Sequence, residues 1–140
     1  MIGGIGCDIV DITRFDGWSK LSRNRLRSLF SAQELIDCSD THNELIAEKL
    51  AVRFAAKEAA YKALSQFVIS LGFIQRTISF RTFCKFVTVE YTTWGVPQII
   101  IDKATLEHML AQTMPHFRTH LSISHAQTTA MAIVVVEAPG

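Results

Sequence analysis

Cysteine is scarce in this chain: three in 140 residues, at positions 7, 38 and 84, none near another. That spacing excludes a CxxC redox motif or a zinc knuckle, and an odd, scattered set suits a reducing compartment. Long hydrophobic runs are missing as well. The longest, Ala130 to Val136, falls far short of the roughly 20 apolar residues that a membrane-spanning helix needs. No Lys or Arg precedes the short apolar stretch at the amino end, and Asp8 interrupts it, so no secretory signal is expected and a cytoplasmic location is. Nor is there an excess of charge of one sign. Fourteen Lys and Arg stand against 13 Asp and Glu, a net charge of +1, which argues against a general nucleic-acid binder. There is no internal repeat, linker or low-complexity stretch. What remains is a core-forming composition, 49% hydrophobic with nine Phe and two Trp, sized for one domain spanning 1–140.

The stretch from Arg53 to Leu64, R-F-A-A-K-E-A-A-Y-K-A-L, has good helix formers and no Gly or Pro, and predicts a helix. Glu58 and Lys62 are one turn apart on one face. Arg53 and Lys57 form a neighbouring basic row, while Val52, Ala55, Ala56, Ala59 and Ala63 fill the opposite side with methyl groups. Such a face lets another backbone approach closely. The helix reads as a buried shaft with one loaded edge, a carboxylate among three cations. A carboxylate can hold a hard cation, and Lys and Arg beside it can hold phosphate. The plainer alternative is a solvated i,i+4 pair worth a few tenths of a kcal/mol.

At the amino end, I-G-G-I-G-C-D-I-V predicts a strand where backbones approach closely. Parity puts Gly4, Gly6 and Asp8 on one face and Ile5, Cys7 and Ile9 on the other. Asp8 therefore either borders a side-chain-free space with room for an ion, or caps the next helix or starts a turn. A helix is expected from Ile12 to about Lys20, capped by Asp11 or Thr13. From Arg14 to Arg27 five basic residues (Arg14, Lys20, Arg23, Arg25, Arg27) meet one acidic residue, Asp16. This stretch docks an acidic partner or a nucleic-acid backbone, or is a solvated face. Ser31 to Glu34 is a capping-box pattern, predicting a helix to about Cys38. Asn43 is a candidate cap for the long helix, expected over 44–66. Val68 to Gln75 is expected as an apolar loop. Strands are expected at 77–81, 86–91, 98–101, 119–125 and 130–137, with turn chemistry at 92–97 and a helix from Asp102 to about Gln112. In H-L-S-I-S-H the apolar parity carries His125 inward, as a satisfied core histidine or as a donor to a phosphate oxygen.

Three segments taken together, G-C-D-I-V followed by Arg14, F-A-A-K-E-A-A-Y-K-A-L, and L-S-I-S-H, resemble the holo-[acyl-carrier-protein] synthases, the small 4′-phosphopantetheinyl transferases. The likeness spans nearly the whole chain. It implies an α+β fold, with a mainly antiparallel sheet packed on a long central helix, assembled as a homotrimer with active sites between subunits. It implies transfer of phosphopantetheine from coenzyme A to a serine of an acyl carrier protein, releasing 3′,5′-ADP. Mg²⁺ would be held by Asp8 and Glu58. Lys62 would reach a phosphate oxygen, with Arg53 and Lys57 on the remaining phosphates and His125, Gly95 and Pro97 also at coenzyme A. Because the family docks an acidic carrier protein on its first helix, Arg14, Arg23, Arg25, Arg27 and Phe30 become the docking candidates. Two departures stand out. Gly95-Val96-Pro97 lacks the Lys of the family's usual G-K-P, and Ser65 to Gln75 is longer and more apolar than the short turn usual there. A non-catalytic coenzyme A or nucleotide-binding module is the alternative function. An interaction protein acting through its basic helix alone is another.

Overall fold

The computed structural model describes residues 1–73 and 78–140. In chain order the elements are β1 (Ile2–Asp11), α1 (Arg14–Trp18), α2 (Arg23–Leu26), α3 (Ala32–Asp37), α4 (Ala47–Ser70), α5 (Phe80–Phe83), β2 (Val87–Tyr91), β3 (Pro97–Ile101), α6 (Lys103–Leu110), β4 (Arg118–His125) and β5 (Thr129–Glu137). β1, β5 and β4 form an antiparallel sheet in that order, and β2 and β3 form a separate hairpin. This is the expected α+β class, with strands packed on one long helix.

The packing of β1 on α4 follows from side-chain size. Gly4 and Gly6 are buried, and a Cβ at either would overlap the carbonyl oxygen of Ala63 or Ala59 respectively. Backbone meets backbone because both partners gave up side chains there. The same inward face carries Val10, and across the register Ala132, Val134 and Val136. Residues 50 to 57 of α4 are all buried, as expected of a helix that is wrapped on every side rather than amphipathic.

Several element boundaries differ from expectation. α1 starts at Arg14 with Thr13 at its N-cap, but no side-chain cap bond forms and Asp11 remains in β1. α4 starts at Ala47, not at Glu44, and Asn43 does not cap it. Instead Asn43 takes a left-handed φ of 63°, which Asn tolerates. α4 also runs to Ser70, so Val68 begins no loop, and 74–75 lie outside the described residues. Of the strand expected at 77–81, Thr77 lies outside the described residues and the remainder is not a strand. Ser79 accepts a bond from the Thr82 amide and starts the short helix α5.

Candidate functional site

Two clusters of expected site residues form on different faces of α4. The first joins β1 to the helix. Asp8, on the inward side of β1, is mostly covered, and Lys62 Nζ donates to its Oδ1 at 2.8 Å and to the Cys7 carbonyl at 2.9 Å. Glu58, one turn back on α4, is half-buried. Burial pushes its carboxyl above the usual carboxylate range, and the charge of Asp8 pushes it further, against the pull of Lys62 and Arg14. Lys62 is held above its ordinary value chiefly by its bond to Asp8. Glu58 therefore senses the charge of Asp8 with incomplete cationic relief. Paired acids in that state suit a hard divalent cation, which takes one or two carboxylates and completes its shell with waters and phosphate oxygens.

Arg14 reaches the same cluster from α1. Its guanidinium lies 5.0 Å from the Phe54 ring centroid, 5.3 Å from Trp18 and 5.6 Å from Phe15. A flat cation set against three rings is held in place by them, with no ion pair to it among the described residues.

The second cluster lies around a cavity of about 270 Å³ lined by Arg53, Gly95, Pro97 and His125. Arg53 is 4% exposed, its guanidinium sits 5.1 Å from the Tyr91 ring centroid, and its Nε has no hydrogen-bond partner among the described residues. The nearest acid, Asp37, stands off at 3.9 Å. A buried guanidinium with an unsatisfied N–H calls for an anionic or carbonyl ligand. Gly95 turns the β2–β3 tip with φ 75°, bringing the backbone to the cavity. Lys49 and Tyr91 line it too, and neither was expected. Lys49 was within reach of sequence reasoning, since it precedes Arg53 by one turn on the same helix face.

The structure corrects four other expectations. Lys57 does not face a phosphate site. It is 1% exposed, and its ammonium donates to Glu34 Oε2 at 2.6 Å and to the Leu29 carbonyl at 2.8 Å. Glu34, besides closing the expected capping box with Ser31, also accepts from the Val89 amide at 2.9 Å. Phe30 cannot dock a partner, being 1% exposed beneath Lys57. Arg23 is a staple rather than a free docking cation, bonded to the Leu35 and Asn43 carbonyls and to the Ser39 and Asn43 side chains. His125 is not inward. Its ring is about half exposed and lies 3.7 Å from Glu48, because β4 runs past the covered part of the sheet. Arg14, Arg25 and Arg27 remain exposed.

A long helix laid on a glycine-backed strand, with two acids and a lysine at their seam and an arginine-lined cavity nearby, is an arrangement suited to a phosphate-bearing substrate. A family model described as the 4′-phosphopantetheinyl transferase superfamily matches residues 4–132, and the chain belongs to that superfamily. Its similar relatives there are holo-[acyl-carrier-protein] synthases. That of Treponema pallidum is 35% identical over 137 residues, covering 98% of this chain and 97% of that protein. That of Geobacter sulfurreducens is 36% identical over 140 residues, covering 99% and 100%. Among solved structures, the Mycobacterium tuberculosis acyl carrier protein synthase aligns with a TM-score of 0.68 at 29% identity, covering 99% of this chain and 100% of that one. The Helicobacter pylori holo-[acyl-carrier-protein] synthase in complex with coenzyme A aligns with a TM-score of 0.69 at 27% identity, covering 95% and 99%.

Proposed function

We propose that this protein transfers 4′-phosphopantetheine from coenzyme A to a serine of an apo acyl carrier protein, releasing 3′,5′-ADP, in the cytoplasm and in support of fatty acid biosynthesis. The observation that carries the reading is the Lys62–Asp8 bond across the β1–α4 seam, with Glu58 one turn before Lys62 on α4 and within reach of the Asp8 charge. The bond to be broken joins two phosphates, so negative charge develops on phosphoryl oxygens and on the departing nucleotide.

Mg²⁺ held by Asp8 and Glu58 would supply charge neutralisation to the pyrophosphate. Lys62 is the cation positioned for a phosphoryl oxygen beside that pair. Arg53 with its free Nε, His125, and the backbone at Gly95 and Pro97 would hold the nucleotide end of coenzyme A, with Arg53 on the ribose 3′-phosphate. Val96 offers no ammonium at that tip, and Lys49 on the same cavity is the cation available in its stead. Glu58, or a water beside Asp8, takes the serine proton. The partner brings the nucleophile, so no Ser-His-Asp arrangement is needed. Arg14, Arg25 and Arg27 present the basic face for an acidic carrier protein, and reversing Arg25 and Arg27, which lie outside the acid cluster, to Glu would raise KM for the carrier without changing coenzyme A binding.

We further propose a homotrimer with sites shared between neighbours. The apolar outer face of the sheet supports it, with Ile5 48%, Ile9 66% and Ile133 38% exposed. So does the placement of the two clusters. Arg53 and Glu58 are five residues apart, roughly 140° around the helix, so the cavity of one subunit can serve the acids of another.

The deciding experiment incubates the protein with apo carrier protein, coenzyme A and Mg²⁺ and weighs the carrier. A phosphopantetheine increment that disappears with chelator supports transfer. Coenzyme A binding with no increment, unchanged by Asp8→Asn, would instead identify a non-catalytic binding module.

A further inference from the structure

Two cations of this chain are turned inward onto one short segment. At the rear of that segment, residues 29 to 34 close on Lys57. Lys57 and Glu34 are both buried, and the ammonium meets Glu34 Oε2 at 2.6 Å and the Leu29 carbonyl at 2.8 Å. Glu34 Oε2 also accepts from the Ser31 amide at 2.7 Å, and its Oε1 accepts from the Val89 amide at 2.9 Å. At the front, Arg23 donates to the Leu35 carbonyl at 3.0 Å, to the Ser39 hydroxyl at 2.9 Å and to the Asn43 side-chain oxygen at 2.6 Å. Between these two ties lie Arg25 and Arg27, both exposed.

Stability alone does not account for a buried pair. Replacing one by apolar side chains of similar volume is often neutral or stabilising, whereas its directional bonds select one arrangement of the groups around it. The groups here need that selection. α2 has four residues and α3 six, each too short to hold its shape alone in water. The path from the exposed arginines to the acids is also short. Arg27 precedes Leu29 by two residues, the Leu29 carbonyl is bonded by Lys57, and Lys57 is the chain neighbour of Glu58.

We infer that Lys57, Glu34 and Arg23 are positioning residues for the carrier protein. They hold the Arg25–Arg27 face at a fixed distance from Glu58, so that a carrier seated on that face presents its serine at the acid cluster. This rests on the transferase reading above. Among the described residues, none of the three lines the Arg53 cavity or bonds to Asp8, Glu58 or Lys62, so their effect falls on the carrier and not on coenzyme A. The demand is strict, because a misplacement of about 1 Å between reacting groups can cost about 100-fold in rate.

Two variants test it. Glu34→Gln with Lys57→Met removes both charges together, so neither is stranded. Arg23→Met cuts the other tie, and because Arg23 is partly exposed that protein folds even where the first does not. Carrier KM is read from transfer assays scored by carrier mass, and coenzyme A affinity from calorimetry. Each variant is also combined with Arg25→Glu and Arg27→Glu. Carrier KM is expected to rise about 10-fold in each variant, with the coenzyme A Kd within about twofold of wild type. The charge reversal, which raises carrier KM in the wild-type background, is expected to add less than about twofold in either variant, because a displaced face has little left to lose. A mere fall in folded fraction would leave the factor of that reversal the same in every background. Carrier KM unchanged in the variants, a coenzyme A Kd that rises in step with it, or a reversal factor equal to that in wild type would overturn the inference and leave the transferase reading standing. No transfer by the wild-type protein would sink both.

Discussion

Glu58 and Lys57 are adjacent in sequence and opposite in circumstance. The fold holds the Glu58 carboxyl above the usual carboxylate range, by burial first and by Asp8 second. A carboxyl raised in the folded state favours folding while it is protonated, and that contribution is lost as pH rises through its raised value. Glu58→Gln therefore removes a penalty present at neutral pH. Without metal, its Tm at pH 7.5 is expected to rise by about 1 °C over wild type, with the difference vanishing near pH 4. Adding Mg²⁺ at millimolar concentration reverses the order, because only wild type gains from ligand binding. Transfer falls by about 100-fold or more. Differential scanning calorimetry with and without Mg²⁺ checks the first two, and an unaltered Mg²⁺ response in the variant would remove Glu58 from the metal site. Lys57, in contrast, is a structural cation. Lys57→Ala strands the Glu34 carboxylate, which is 1% exposed, and breaking a buried pair from one side costs about 3–5 kcal/mol. Urea denaturation is expected to show that loss, with coenzyme A affinity in the surviving folded fraction unchanged.

At the scale of elements, the seam between β1 and α4 is where the sequence speaks most plainly. Alternating glycines on one strand and a methyl-lined helix face are complementary surfaces, and both could be read before any fold was known. The capping box at Ser31 and the Asp102 cap of α6 were legible for the same reason, since each is settled within four residues. Lys57 and Phe30 were not. Nothing within a helical turn of Lys57 reveals that Glu34, 23 residues earlier, folds over it. Local spacing placed it in a row with Arg53, and the family resemblance assigned that row to phosphates. The short helix α5 was hidden differently, because Phe80 and Phe83 look strand-forming, yet they turn inward to stack on Tyr61 at 5.6 and 5.3 Å between centroids. The seam also makes a sharp test. Gly6→Ala drives a methyl into the Ala59 carbonyl, and overpacking of that kind costs about 1–3 kcal/mol or more. It would also lift Asp8 from Glu58, so Mg²⁺-dependent transfer should fall more than stability alone explains. Gly17→Ala is the control. It meets nothing within 4 Å in the exposed helix α1, and removing Gly from a helix stabilises by about 0.5–1 kcal/mol. Equal behaviour of the two variants in urea titrations would contradict the close packing.

For the whole molecule, the two clusters on α4 raise the question of how one chain uses both. Arg53, His125 and the Gly95 tip line one cavity, while Asp8, Glu58 and Lys62 sit on another face of the helix. If a coenzyme A spans the acids of one subunit and the cavity of its neighbour, assembly becomes part of catalysis. The apolar outer sheet face is where such assembly would form, and Ile133→Asp on β5 is expected to give a folded monomer, by circular dichroism and sedimentation, with transfer reduced at least ~10-fold. Mixing distinguishes a shared site from two independent requirements. Glu58→Gln and His125→Ala variants, each inactive alone, are co-refolded in equal amounts. In a shared site, one subunit of the mixed trimer supplies an intact Glu58 and its neighbour an intact His125. Random mixing then returns roughly a quarter of wild-type activity. Mixed trimers, verified by differential tagging, that recover nothing would mean that each chain must carry both clusters itself, and the route of coenzyme A would have to run around α4 within one subunit.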